Sequence, residues 1–447
     1  MVKIYDKDTD ETKHSFVEMA AYFPGLILLL LMLVLPAAYQ EIKIAFLVVI
    51  IFQILLITFV SGHIYVHPII SLFFIFYLTI GSAYGAYGVF RGNVGAIPVT
   101  KEIVFYVFIY MFLISGIRSN YCIYLIHSTL CLATFILCVY IIESILYSLD
   151  LIPNWLYVDL YQNTTGLQAV GLVVLDTRGS IGIDISSLPS LLFLQPYLIT
   201  HAIIDHKRLS IFSLFLILLA TSTMLISGKR IMQIVGLASP LVIGVLLLFF
   251  NKLLFTRIKG LVFVMILYFL MFSVLLYTLG FDFHLMAQYV VEGITFSDPM
   301  ESNVRIDQFY ALLNGWIQNP ILGAGSGAVQ WAYLRSFEEP WNYELSYMKL
   351  LFDFGLVGVA LYGIGVLFIW FKSVRMYVTH YALGKYALAA AIGSISFMVG
   401  NATNPFLLKF DYLVTLFLPL ALINLGLLNR QISGSEILTK LRTTKSI

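Results

Sequence analysis

Residues 22–61 read YFPGLILLLLMLVLPAAYQEIKIAFLVVIIFQILLITFVS, two apolar runs joined by a short connection that holds Gln40, Glu41 and Lys43. About 20 apolar residues is the length an α-helix needs to cross the hydrocarbon core of a bilayer. Backbone amides find no water there, so such a run folds as a helix that satisfies them internally. The same unit recurs along the chain. Apolar runs near 22–39, 44–61, 69–88, 103–117, 121–147, 188–204, 209–226, 231–250, 261–280, 345–371, 385–401 and 412–428 predict about twelve transmembrane helices. The expected fold is all-α, a polytopic transmembrane bundle forming one integral membrane domain over residues 1–447.

Composition agrees. Of 447 residues 60% are hydrophobic and 11% charged, with a mean hydropathy of +0.93, whereas a soluble domain carries about 25% charged residues. The lipid bilayer is the expected solvent. A net charge of +2, with no basic block interleaved with aromatics, argues against a nucleic-acid partner. Cys122, Cys131 and Cys138 share one apolar segment and read as core residues, neither a disulfide framework nor a metal site. The histidines lack any HExxH-like spacing, so no metal and no cofactor is expected. Residues 1–21 are polar and lack the basic-then-apolar order of a cleavable signal peptide, so the first helix is expected to stay.

An even number of crossings puts both termini on one side. Lysines and arginines in the connections 205–208, 251–260 and 371–385 and in the C-terminal tail mark that side as cytoplasmic. Two long connections, 148–187 and 281–344, then lie outside, and loops of that length in a compact protein are usually functional. Within the second, Asp298-Pro299-Met300-Glu301 reads as a helix start with a capping box. Phe309, Leu312, Leu313, Trp316 and Ile317 follow at helical spacing, an amphipathic helix lying against the bundle or the lipid surface. Pro320 and Gly323-Ala324-Gly325-Ser326-Gly327 end it.

Lys229 and Arg230 break the positive-inside pattern, falling on the outer side between two helices. Arg305 and Arg178 are also outside. Because an arginine fork matches phosphate oxygens bidentately, three separated outer arginines suggest an anionic ligand. The plainer alternatives are interfacial snorkelling for Arg230, a pair with Glu301 for Arg305 and a pair with Asp176 for Arg178. Glu344 starts the tenth run, where a carboxylate suits the helix dipole whether or not it also accepts a hydroxyl proton. Trp331, Trp341, Tyr343 and Tyr347 beside it are of the kind that stack on sugar rings. Lys349 and Asp353 stand at i,i+4 and are expected to neutralise each other. The glycines 323, 325 and 327 follow no strand, so they read as a tight turn beneath a bound headgroup rather than a dinucleotide motif. Asp282, His284 and Glu292 are further candidate helpers in the same loop.

Arg305, Trp316, Asn319-Pro320-Ile321-Leu322-Gly323-Ala324-Gly325-Ser326-Gly327, Glu344 and Gly355-Leu356-Val357-Gly358, with Ser227-Gly228-Lys229-Arg230 upstream, resemble the O-antigen ligase and O-antigen polymerase superfamily of bacterial cell-envelope glycosyltransferases. The resemblance implies a GT-C-like bundle in the inner membrane. It implies transfer of glycan from an undecaprenyl-pyrophosphate-linked oligosaccharide to an acceptor hydroxyl on the periplasmic face, without metal or cofactor. Arg230 and Arg305 would hold the pyrophosphate and Glu344 would take the proton, with Arg178, Lys229, Tyr343 and Tyr347 binding substrate. The ligase pattern has a histidine where this chain has Glu344, which favours a polymerase of repeat units, working alone or with a chain-length-regulating membrane protein. A lipid-linked glycan transporter would also need outer arginines, but no two halves of the chain match.

Overall fold

The computed structural model of the chain describes residues 16–36, 38–148, 152–153, 174–175, 181–182, 185–205, 210–227, 229–250, 255–278 and 299–444. The helices in chain order are α1 (Phe16–Val34), α2 (Gln40–Ser61), α3 (Pro68–Phe90), α4 (Ala96–Thr100), α5 (Tyr106–Ser115), α6 (Asn120–Ser148), α7 (Leu191–Ile204), α8 (Ile211–Ile226), α9 (Arg230–Phe250), α10 (Phe255–Thr278), α11 (Pro299–Gln318), α12 (Ser346–Thr379), α13 (Tyr381–Asn401) and α14 (Phe410–Thr444). A π-turn, Lys101–Phe105, joins α4 to α5. Two strands of two residues, β1 (Val174–Leu175) and β2 (Ile181–Gly182), pair antiparallel with Val174 opposite Gly182. Among the described residues the regular structure is otherwise helical.

Each of the twelve apolar runs lies on a helix, but their lengths differ from the expectation of twelve full crossings. Among the described residues eight helices are long and apolar enough to cross a membrane, and Tyr22–Val34, Leu188–Ile204 and Ile211–Ile226 are shorter. Burial explains α7. Its 14 residues rise about 21 Å, short of the roughly 30 Å hydrocarbon core, yet every one of them is buried, so α7 meets protein on all sides rather than lipid. Its one amide side chain is satisfied there: Gln195 accepts from Ser239 Oγ at 2.7 Å and donates to Thr221 Oγ1 and the Gly236 carbonyl at 3.2 Å each. α13 packs along α7, with α12 and α14 against α13. At the other extreme α2 leaves Phe52, Leu56 and Phe59 exposed, as a lipid-facing helix must.

Bonds between connections sort the helix ends into two groups. At one end Lys43 pairs with Asp411 at 2.8 Å, Ser190 Oγ donates to the Leu33 carbonyl, Tyr412 Oη to that of Ser186, and Asn93 to those of Ala324 and Ser326. At the opposite end Tyr22 meets Ser119, Arg118 lies over Tyr65, Asn424 bridges Tyr65 and His67, and Lys385 pairs with Asp205. From Tyr22 through Leu33 and Lys43, Tyr65 and His67, and Asn93 to Arg118, the chain passes from one end to the other in alternating directions along α1, α2, α3 and α4–α5. Among the described residues, α6 ends at Ser148 and the turn Leu188–Ser190 leads into α7. The α10–α12 connection contains the expected helix, α11, which starts at Pro299 and ends one residue before Asn319-Pro320.

Candidate functional site

The site is built around a break in α12. Its 34 residues would extend about 51 Å as one straight helix, far more than a bilayer core. At Gly355 the backbone leaves the helical region, with φ 60° and ψ −171°. A broken helix beside lipid must find other partners for its freed amides and carbonyls. The α11–α12 connection supplies them. Leu356 and Val357 N–H donate to the carbonyls of Pro320 and Ile321 at 2.9 and 3.1 Å, and Ala324 and Gly325 N–H donate to those of Phe352 and Asp353 at 2.8 and 2.9 Å.

The glycine run makes the tight turn that the sequence suggested, with positive φ at Gly323, Gly325 and Gly327. Its amides are engaged internally rather than presented to a headgroup, and Gly327 N–H is taken by Asp353 Oδ2 at 3.3 Å. Gly325 and Gly327 have positive φ, and a Cβ on them would lie 2.9 Å from Gly88 Cα and 2.0 Å from the Gly95 carbonyl carbon. The loop is wedged between the α3–α4 turn and the break in α12. Lys349 and Asp353 pair at 2.6 Å as the i,i+4 spacing predicts, and Lys349 Nζ also caps the Ala328 carbonyl at 2.6 Å.

On this platform α11 turns an unexpected face inward. Gln308, Ala311, Leu312 and Gly315 are buried, the last against the Phe352 ring. Of the expected apolar stripe only Leu312 is buried; Phe309 and Ile317 are exposed, next to Tyr310, Ile321 and Leu322. That outward apolar band suits a helix lying at a lipid surface. Gln308 Oε1 accepts the Leu345 N–H at 2.8 Å and so fixes the end of the connection onto α11.

Glu344 stands two residues before α12 and does not cap it. Its carboxylate turns to two guanidiniums instead: Arg305 Nε from α11 reaches Oε2 at 3.2 Å and Arg335 Nη2 from the connection reaches Oε1 at 3.3 Å. The side chains of Arg305, Arg335 and Glu344 are 30%, 42% and 21% exposed, so the cluster is open to solvent. Tyr333 lies beside it. Burial, then the Glu344 charge, raises its phenol above the ordinary tyrosine value. Arg335, Gln308 and Tyr333 escaped the sequence reading, although Arg335 falls in the same connection, 281–344, whose expected outer placement singled out Arg305.

The other candidates are placed as follows. Tyr343 is 1% exposed, its ring packed with Leu312, Ala328 and Phe352 and its hydroxyl accepting from Gln330 N–H at 2.9 Å, so its face is closed to a sugar. Tyr347 is exposed, with its hydroxyl donating to the Met398 carbonyl at 2.5 Å, and Trp331 is 66% exposed. Lys229 is exposed and Arg230 half-buried at the start of α9. They belong to the same end of the bundle, because Gly236, six residues on, meets Gln195 near the start of α7. Arg178, Asp282, His284, Glu292, Asp298 and the side chain of Glu301 lie outside the described residues.

The sequence matches no protein-family model and no curated protein.

Proposed function

We propose that this chain is an inverting, metal-independent glycosyltransferase that polymerises undecaprenyl-pyrophosphate-linked oligosaccharide repeat units into O-antigen or a related surface polysaccharide, at the periplasmic face of a bacterial inner membrane. The observation that carries this reading is the convergence of Arg305 and Arg335, from two different segments, on the carboxylate of Glu344. Two guanidinium forks around one carboxylate form a site whose geometry equally suits phosphate oxygens. Exposed Tyr347 and Trp331 offer ring faces for a sugar chain.

The chemistry follows from the groups present. The acceptor hydroxyl oxygen attacks the anomeric carbon while the bond from that carbon to the pyrophosphate oxygen breaks, and its electron pair leaves on the phosphate. Arg305 and Arg335 stabilise that charge from positions set by the fold, and Lys229 and Arg230 at the start of α9, at the same end of the bundle, add further positive charge. A pyrophosphate competes with Glu344 for the guanidiniums, so donor binding frees the carboxylate to take the hydroxyl proton. Attack opposite the leaving group inverts the anomeric centre. The donor lipid lies in the bilayer against the exposed apolar band of α11.

Deleting the gene in its host tests the proposal. Loss of the surface-polysaccharide ladder with survival of a single-repeat product supports a polymerase. Loss of both indicates a ligase, and an unchanged ladder excludes either.

A further inference from the structure

At the end of the bundle opposite the Glu344 cluster, a cavity of about 200 Å³ opens between α1, α2, α5, α6 and α14. An apolar cavity of about 150 Å³ already stays dry and admits a benzene-sized guest. Gly25, Leu29, Ile54, Ile114, Phe417 and Ala421 line it, and it runs from Arg118 at the helix ends to Tyr110 towards mid-bundle. One wall is α2, whose Ile57 lines the cavity and is itself exposed, so the cavity reaches the bundle surface where an alkyl chain can enter from the bilayer.

Arg118 is held at the mouth by two contacts that leave part of it unused. Its Nε donates to the Ser115 carbonyl at 3.1 Å and its guanidinium lies 4.4 Å from the centre of the Tyr65 ring. Its Nη2 is buried and has no hydrogen-bond partner among the described residues. A buried guanidinium N–H is a strong donor whose isolation is costly, and a phosphate oxygen is the acceptor that suits it. Lys372, Arg375, Lys385 and Arg430 lie towards the same end of the bundle, a charge pattern that favours anionic headgroups.

We propose that this slot binds an anionic glycerophospholipid, with one acyl chain between α1, α2 and α14 and the phosphate on Arg118. The site is distinct from the glycosyl-transfer site and stands whether or not that reading holds. The slot has room to be filled: a Cβ on Gly25 would meet nothing within 4 Å.

Native mass spectrometry of the full chain in detergent, titrated with dioleoyl phosphatidylglycerol or with dioleoylglycerol, tests this directly. Wild type should hold the phospholipid at least about 10-fold more tightly than the diacylglycerol, since only the former offers a charge-assisted acceptor. Arg118→Gln should abolish that preference, and Gly25→Phe should weaken retention of both lipids. Equal binding of the two lipids by wild type overturns the headgroup assignment without any variant. Undiminished retention by Gly25→Phe overturns the slot, because the lipid then sits elsewhere.

Discussion

Replacing Lys349 by Met tests how the candidate site is supported. Lys349 Nζ lies 2.6 Å from both Asp353 Oδ1 and the Ala328 carbonyl, while Asp353 Oδ2 receives Gly327 N–H. The two side chains are 9% and 3% exposed, so water does little to screen the pair. Removing one partner of a buried ion pair costs about 3–5 kcal/mol, because the other is left uncompensated. At about 1.4 kcal/mol per factor of ten, the glycine loop should open roughly 10²–10⁴ times more often. Hydrogen–deuterium exchange of the peptide covering 323–328 reads this opening. The double variant Lys349→Met/Asp353→Leu removes the stranded charge and should recover part of the protection. It leaves only the Gly327 amide and Ala328 carbonyl unpaired, at about 1–3 kcal/mol each. Unchanged protection in the single variant, or a double variant more open than the single, would refute the reasoning.

Four further outcomes follow from the same geometry. Gly355→Ala places a Cβ 2.4 Å from the Ile321 carbonyl oxygen at φ 60°; it should cost at least about 1–3 kcal/mol, read as a lowered unfolding temperature, and a neutral result contradicts the break. Arg305→Ala and Arg230→Ala should each abolish polymer while insertion stays normal, with lysine a poor rescue because it lacks the fork; normal ladders from both would refute a pyrophosphate role. Glu344→Gln should lower turnover about 10²–10⁴-fold with donor binding retained if the carboxylate takes the proton, whereas normal chain growth in that variant rules this out. Burial, then neighbouring carboxylate charge, raises the phenols of Tyr333 and Tyr343 above 10.0; the protonated form is favoured in the folded state, so this stabilisation is complete below pH 10 and is lost as pH rises beyond it, which spectrophotometric tyrosine titration would check by midpoints above the free value.

The bundle was legible because a run of apolar residues carries its own length signal, and all twelve runs lie on helices. What the run cannot say is whether its neighbour is lipid or protein. α7 and α2 look alike as sequence, yet one is wholly buried and the other faces the bilayer. Local spacing was equally informative for Lys349 and Asp353, whose partnership needs only one turn of helix. The glycine turn was legible but its packing is non-local: what excludes a side chain at Gly325 and Gly327 is the end of α3 and the α3–α4 turn, more than 200 residues earlier in the chain. Tyr343 and Glu344 are adjacent in sequence but diverge in space, one into the loop core and the other to the arginines. Arg335 lies in a stretch without periodicity, so only the fold reveals that it shares Glu344 with Arg305.

The most direct test of the central claim is reconstitution of the purified chain in liposomes with an undecaprenyl-pyrophosphate-linked oligosaccharide as sole substrate and a chelator present. The account predicts a ladder of glycans growing by whole repeat units, with one undecaprenyl pyrophosphate released per linkage. Arg305→Ala should produce neither. Oligosaccharide that crosses the membrane or stays in place at its original size, with no pyrophosphate lipid released, would contradict it.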